Sequence, residues 1–244
     1  MGMNAFMTIY SKCFATTICG KYRDFFKKII LLRRKREDVS ILNECFFLIL
    51  KLLGIVLLKA IYQIESVNKD YIPRTGPLIV AANHFSYMDP IVLQAMFPRR
   101  ISFLMTELYY EGKLKWFFKL LHCICVRQSG PNTSSIREGL GVLKKKGVLG
   151  IFPEGGVSKE GILQPGNPGI GFFVLKSGAP VVPAFIAGTY EALPKGAKIP
   201  KRTKIKIYFG LPVTFENVGI GKDDRERVVE ITNEIMMQIK NLSV

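Results

Sequence analysis

The sequence predicts an α/β fold: a central, mostly parallel or mixed sheet flanked by helices, preceded by an N-terminal helical appendage. Three observations point there. Short Ile/Val-rich runs at 77–82, 148–152 and 181–187 suit buried strands. Stretches of helical period lie between them, and that alternation is how parallel sheets are built. The first 66 residues have a different character, basic at first and then almost continuously apolar.

A chain of 244 residues holds one α/β domain with a full core and a small appendage. Hydrophobic residues make up 48 % and the mean hydropathy is +0.21, so some apolar surface is expected to meet lipid or a partner. A net charge of +16 favours anionic membranes, nucleic acid or phosphorylated ligands. Cys13, Cys19, Cys45, Cys123 and Cys125 are odd in number and form no CxxC, which fits reduced thiols in a cytosol-facing protein. The two histidines, His84 and His122, belong to no set with zinc spacing, so no metal is expected. Without a G-x-S-x-G elbow, a P-loop or a G-x-G-x-x-G, hydrolase and nucleotide-binding readings lose their support. No recognised nucleic-acid module is present, and no nucleic-acid partner is expected.

Residues 1–20 lack a basic start and a small-x-small cleavage site, so no signal peptide is read there. From 21 to 37, cations alternate with Phe25, Phe26, Ile29, Ile30, Leu31 and Leu32. Residues 1–60 carry 11 Lys/Arg against 4 Asp/Glu, a net of +7 that suits an anionic bilayer surface. Residues 41–64 form the most apolar helix candidate. Lys51 and Lys59 interrupt it and share a narrow sector with Glu44, which predicts a wide greasy face with a thin polar stripe. A helix lying in one leaflet is the expectation; a tilted span over 41–62 is the competing arrangement.

The polar connector 68–76, with Pro73 and Gly76, sets the expected division: a membrane-anchoring segment over 1–66 and a catalytic domain over 67–244. Strands are expected at 77–82, 100–105, 122–126, 148–152, 181–187 and 204–209. Helices are expected from Asp89, over 113–121 with Trp116 in the core by default, from Asn132 or Thr133 to Lys146 with Gly147 closing it, between Pro168 and Gly178, and after Asp223 and Asp224. In that last helix Val228, Ile231, Ile235 and Ile239 share one face.

The chemistry concentrates at 81–90, Ala-Ala-Asn-His-Phe-Ser-Tyr-Met-Asp-Pro. His84 falls in the loop after a buried strand, where open α/β sheets expose reactive groups, and Asp89-Pro90 starts the next helix. An imidazole with a carboxylate five residues on is a base with an orienting partner, able to activate a hydroxyl. The bland alternative has His84 capping a loop and Asp89 capping a helix.

The block Asn83 to Pro90 resembles the first signature of the glycerolipid acyltransferases, the family of 1-acyl-sn-glycerol-3-phosphate acyltransferases. Ile124-Cys-Val-Arg127, Phe152-Pro-Glu-Gly-Gly156 and Gly178-Ala-Pro-Val-Val-Pro183 resemble its later blocks, in order, over about residues 77–187. The resemblance implies transfer of a fatty acyl group from an acyl-CoA or acyl carrier protein thioester to the hydroxyl of a lysoglycerolipid, without a cofactor. His84 would be the base and Asp89 its support. Asn83, Ser86, Arg127, Glu154, Gly155 and Gly156 would meet substrate, at the cytoplasmic face of a membrane. A non-catalytic, basic lipid-binding protein of the same fold is the alternative. Two departures bear on the acceptor. The family's acceptor block continues with Thr and Arg where this chain has Gly156 and Val157, and a strand-end Lys is replaced at Met105 or Thr106. Arg127, Lys159 or another cation then substitutes, or the acceptor is another lysolipid. A late basic cluster comprises Lys195, Lys198, Lys201, Arg202, Lys204 and Lys206.

Overall fold

Apolar runs become strands β1 Gln63–Val67, β2 Leu78–Ala82, β3 Ile101–Thr106, β4 Ile124–Val126, β5 Val148–Ile151, β6 Val181–Ala187 and β7 Lys204–Phe209. They form one sheet in the order β1-β7-β6-β2-β5-β3-β4. The computed structural model describes residues 46–112, 115–127, 132–197, 199–215 and 224–243. The basic stretch 21–37, residues 41–45 of the apolar helix, Cys13, Cys19, Cys45, Lys198 and Asp223 lie outside them. The chain divides into two units, Met1–Ile49 and Leu50–Val244. Of the first, only residues 46–49 are described, where helix α1 (46–61) begins.

In the second unit, the five strands β6-β2-β5-β3-β4 run parallel, while β7 pairs antiparallel with β6 and β1 parallel with β7. The helices are α2 Asp89–Met96, α3 Glu107–Tyr110, α4 Lys115–Leu120, α5 Thr133–Lys144, α6 Gly169–Ser177, α7 Thr189–Ala192 and α8 Asp224–Asn241. Side chains alternate across a strand, so β2 serves two cores. Leu78, Val80 and Ala82 pack with Val92, Leu93 and Phe97 of the α2 region, whereas Ile79 and Ala81 pack with Phe173 and Val174 of α6 and Ile231, Ile235 and Ile239 of α8. α6 and α8 approach closely at Gly171, where a Cβ would lie 2.2 Å from the Val228 carbonyl oxygen.

Three local expectations differ. The apolar helix stops at residue 61, and Ile64 belongs to β1. β1 thereby crosses the 66/67 division expected from the polar connector. Its Glu65 reaches Lys204 at 2.9 Å and Lys206 at 3.9 Å on β7, pairings no local pattern displays. At the end of α5 it is Lys146, not Gly147, that takes the left-handed conformation (φ 60°). Gly147 instead supplies space, because a Cβ there would stand 2.9 Å from the Val142 carbonyl oxygen.

Lys51 faces the protein. Its ammonium donates to the Phe97 carbonyl at 2.5 Å, where α2 ends, and burial followed by the Lys69 charge lowers its pKa. Leu58 is buried beside it and Ile55 packs on the same core, while Leu52, Leu53, Val56, Leu57 and Ile61 are exposed. The polar stripe thus splits, with Lys51 turned inward, Lys59 left exposed and an apolar face pointing outward. Among the described residues, no helix is long and apolar enough to cross a membrane.

Candidate active site

β2 and β5 are neighbours, yet α2 packs on one face of the sheet and α6 on the other. Doubly wound sheets open a crevice at such a reversal, outside the carboxyl ends of the strands. The loops after β2 and β5 meet there.

His84 stands in the β2 loop with Nδ1 3.0 Å from Asp89 Oδ2; its side chain is 15 % exposed and that of Asp89 is fully buried. Asp89 Oδ2 also accepts the amides of Phe85 (2.7 Å) and Ser86 (2.8 Å). The carboxylate therefore ties the loop backward instead of capping α2, whose amino-terminal dipole favours its negative charge. An oxygen accepting two backbone N–H groups acts as an acceptor toward the ring as well. This assigns the proton to Nδ1 and leaves Nε2 with a free lone pair. The imidazole stacks on Phe152 (4.2 Å between centroids, 20°), and Phe152 stacks on Phe103 (5.7 Å, 9°). Phe103 has room because residue 150 is glycine: a Cβ there would fall 2.5 Å from its ring.

The β5 loop holds the backbone on both sides of that imidazole. Glu154 Oε1 accepts the His84 amide at 2.7 Å, and its Oε2 accepts the Gln164 amide at 3.0 Å. Burial raises the Glu154 pKa, outweighing these two hydrogen bonds, which lower it. The Ser158 amide donates to the His84 carbonyl at 2.8 Å. Gly155 has φ +74°, a value that favours glycine, and both Gly155 and Gly156 are exposed with open space around them.

Two residues expected to meet substrate are fully buried and bonded to the scaffold. Asn83 is fully buried, and its amide exchanges hydrogen bonds with the Ile186 backbone on β6, Nδ2 donating at 2.9 Å and Oδ1 accepting at 2.6 Å. Ser86 is equally buried, its hydroxyl donating to the Leu193 carbonyl at 2.7 Å. Both position the His84 loop. Arg127 is exposed at the end of β4, three strands from β2, or roughly 14 Å at the usual strand spacing. Asn132 clamps its backbone, accepting from the Arg127 amide (2.9 Å) and donating to its carbonyl (3.1 Å), and makes no side-chain cap on α5. The structure brings His84, Asp89, Glu154, Gly155 and Gly156 together and leaves Arg127 apart.

Other groups at this edge escape the motif pattern. Phe103 is one: it supports Phe152, the first residue of the Phe-Pro-Glu-Gly-Gly block, from another strand. The hydroxyls of Tyr87 and Tyr109 hydrogen-bond at 2.8 Å, and Lys195 Nζ donates to the Val157 carbonyl at 3.2 Å. Trp116 is 63 % exposed, against the core placement expected by default. His122 is exposed with φ 59° and precedes β4, at the amino end of a strand and thus across the sheet from the site. Burial pushes the Cys123 thiol up to about 11, too high for a thiolate nucleophile near neutral pH.

The chain is similar to known proteins in sequence and in fold. The family model described as Acyltransferase matches residues 63–187. A 1-acyl-sn-glycerol-3-phosphate acyltransferase of Bacillus subtilis is 26 % identical over 181 residues, covering 73 % of this chain and 87 % of that protein. The protein of the same name from Limnanthes douglasii is 27 % identical over 150 residues, 60 % of this chain but 53 % of its own length. In fold, the chain is similar to the crystal structure of the 1-acyl-sn-glycerophosphate acyltransferase PlsC from Thermotoga maritima, with TM-score 0.63, 23 % identity and coverage of 80 % and 78 % of the two chains. The matched family segment runs from β1 through β6, carrying both loops that build the His84 site, and the chain belongs to the acyltransferase family of enzymes.

Proposed function

We propose that the chain transfers a fatty acyl group from an acyl-CoA or acyl carrier protein thioester to the free hydroxyl of a lysoglycerolipid, 1-acyl-sn-glycerol-3-phosphate giving phosphatidate. One observation carries the reading: the 3.0 Å contact of His84 Nδ1 with Asp89 Oδ2, which leaves Nε2, on a side chain 15 % exposed, as the nitrogen able to take a proton. As the acceptor hydroxyl attacks the thioester carbonyl, Nε2 takes its proton. The buried Asp89 carboxylate stabilises the imidazolium that forms. Collapse of the tetrahedral intermediate expels the thiolate, which recovers the proton from His84. Base catalysis of this kind supplies about 10²- to 10⁴-fold, and alignment of hydroxyl and thioester in one site can supply more. Glu154 and Ser158 fix the His84 backbone, while Gly155 and Gly156 leave the acceptor side open.

The substrate is a lipid, so the protein works at a bilayer surface. The exposed face of α1, with Leu52, Leu53, Val56 and Leu57, supports that reading, as does the basic segment before it. The enzyme is proposed to be monotopic, at the cytoplasmic face, held by its N-terminal residues.

The test uses purified protein in detergent with acyl-CoA or acyl carrier protein thioesters and a panel of lysolipids. Thiol release should depend on the acceptor, be fastest with 1-acyl-sn-glycerol-3-phosphate, and fall by about 10²-fold or more in His84→Ala. Absence of turnover with every lysolipid would overturn the proposal, and faster turnover with a different acceptor would replace the acceptor.

A further inference from the structure

We propose that Lys195 is the residue that receives the phosphate of the acceptor lipid, so that this cation, supplied by the segment after α7, sets the preference for phosphate-bearing lysolipids. The inference rests on the acceptor reading above and names the group that would carry it.

Position comes first. Lys195 Nζ donates to the Val157 carbonyl at 3.2 Å, and the amide of the same peptide unit, Ser158 N–H, donates to the His84 carbonyl at 2.8 Å. A single peptide plane therefore separates the ammonium from the backbone of the proposed base. On an acceptor, the phosphate and the reacting hydroxyl hang from neighbouring carbons of one glycerol. Their binding groups must be this close. Arg127, at the end of a strand three places from β2, is not.

Charge comes second. An ammonium has three donors, and Val157 uses one of those on Lys195. Among the described residues no carboxylate pairs with it, whereas Lys204 and Lys206 of the same basic cluster meet Glu65. The carboxylates nearest the site are otherwise engaged. Glu154 accepts two backbone amides, and Asp89 is buried behind His84. Tyr109 is a polar group tied to it electrostatically: the hydrogen bond to Tyr87 at 2.8 Å, then burial, raise its pKa, and the Lys195 charge opposes them. A cation with spare donors, held at Val157 next to the exposed Gly155-Gly156 backbone, fits an oxyanion with several oxygens.

The experiment measures binding, without an acyl donor, of 1-acyl-glycerol-3-phosphate and of the same lipid lacking phosphate to the full chain in detergent. The wild type should prefer the phosphate-bearing lipid. Lys195→Gln should lower that preference about 10- to 100-fold, the range of a lost charge-assisted hydrogen bond, and Lys195→Arg should keep most of it. Lys159→Gln removes the same charge from an equally exposed position whose ammonium is not held at the Val157 carbonyl, and should change the ratio less. The assignment is overturned if the wild type shows no preference, if Lys195→Gln leaves the ratio intact, or if Lys159→Gln lowers it equally. A phosphate preference that follows Lys195 in a protein with no acyl transfer to this lipid would keep the binding site and remove the acceptor reading instead.

Discussion

His84 is held at four points: Nδ1 by Asp89, amide by Glu154, carbonyl by Ser158 and ring face by Phe152. Such over-determination fixes the direction of Nε2, as a proton acceptor requires. His84→Ala should lower kcat by about 10²- to 10⁴-fold with an unchanged circular dichroism spectrum; a smaller loss would move the base elsewhere. Glu154 gives a prediction in pH. Its folded-state pKa is raised by burial, so between the unfolded and folded values the native protein binds more protons than the unfolded chain. That contribution to stability is present at low pH and is lost as pH rises through the folded value. Urea unfolding at a series of pH values should show this downward slope just above the ordinary glutamate range, and Glu154→Gln should abolish it. Little of this was legible locally. The H-x4-D spacing singled out His84 and Asp89, but the partners of Asn83 and Ser86, Ile186 and Leu193, lie over 100 residues away. The family resemblance offered both as substrate contacts; in the structure both are buried and hold the His84 loop.

Elements supply the platform beneath these residues. The aromatic stack that carries His84 starts from an absent side chain on β5, where Gly150 admits Phe103. Gly150→Ala should destabilise the protein by about 1–3 kcal/mol through overpacking, and Phe152→Ala, which removes the ring beneath the imidazole, should lower kcat more than Gly150→Ala does. Unfolding and kinetics on the two variants check this together; equal damage to both quantities in both variants would contradict a specific role for the stack. The helix α1 turns its Lys51 inward and its leucines outward. Replacing Leu53, Val56 and Leu57 by Ser should weaken sedimentation with anionic liposomes severalfold without lowering the melting temperature. Unchanged sedimentation would place membrane contact elsewhere. The apolar run itself was plain in the sequence. Which side of it met protein was not, since Lys51 marks a polar position in any helical projection and only the Phe97 carbonyl decides that it points in.

At the scale of the whole molecule, the parallel strands were readable because each is a short apolar run between turn residues and helical segments. β1 was not: Gln63–Val67 is half polar, continues an apolar helix, and earns its place by pairing with a strand some 140 residues later. The crevice follows from topology, with the β2 and β5 chains departing to opposite faces, and the two loops that the motifs occupy are the two that border it. The most direct measurement of the central claim is acceptor-dependent thiol release by the wild type, His84→Ala and Asp89→Asn. The account predicts release about 10²- to 10⁴-fold slower from His84→Ala and an intermediate loss from Asp89→Asn, which keeps the shape of the support and removes its charge. Acceptor-dependent release from His84→Ala at the wild-type rate would contradict it.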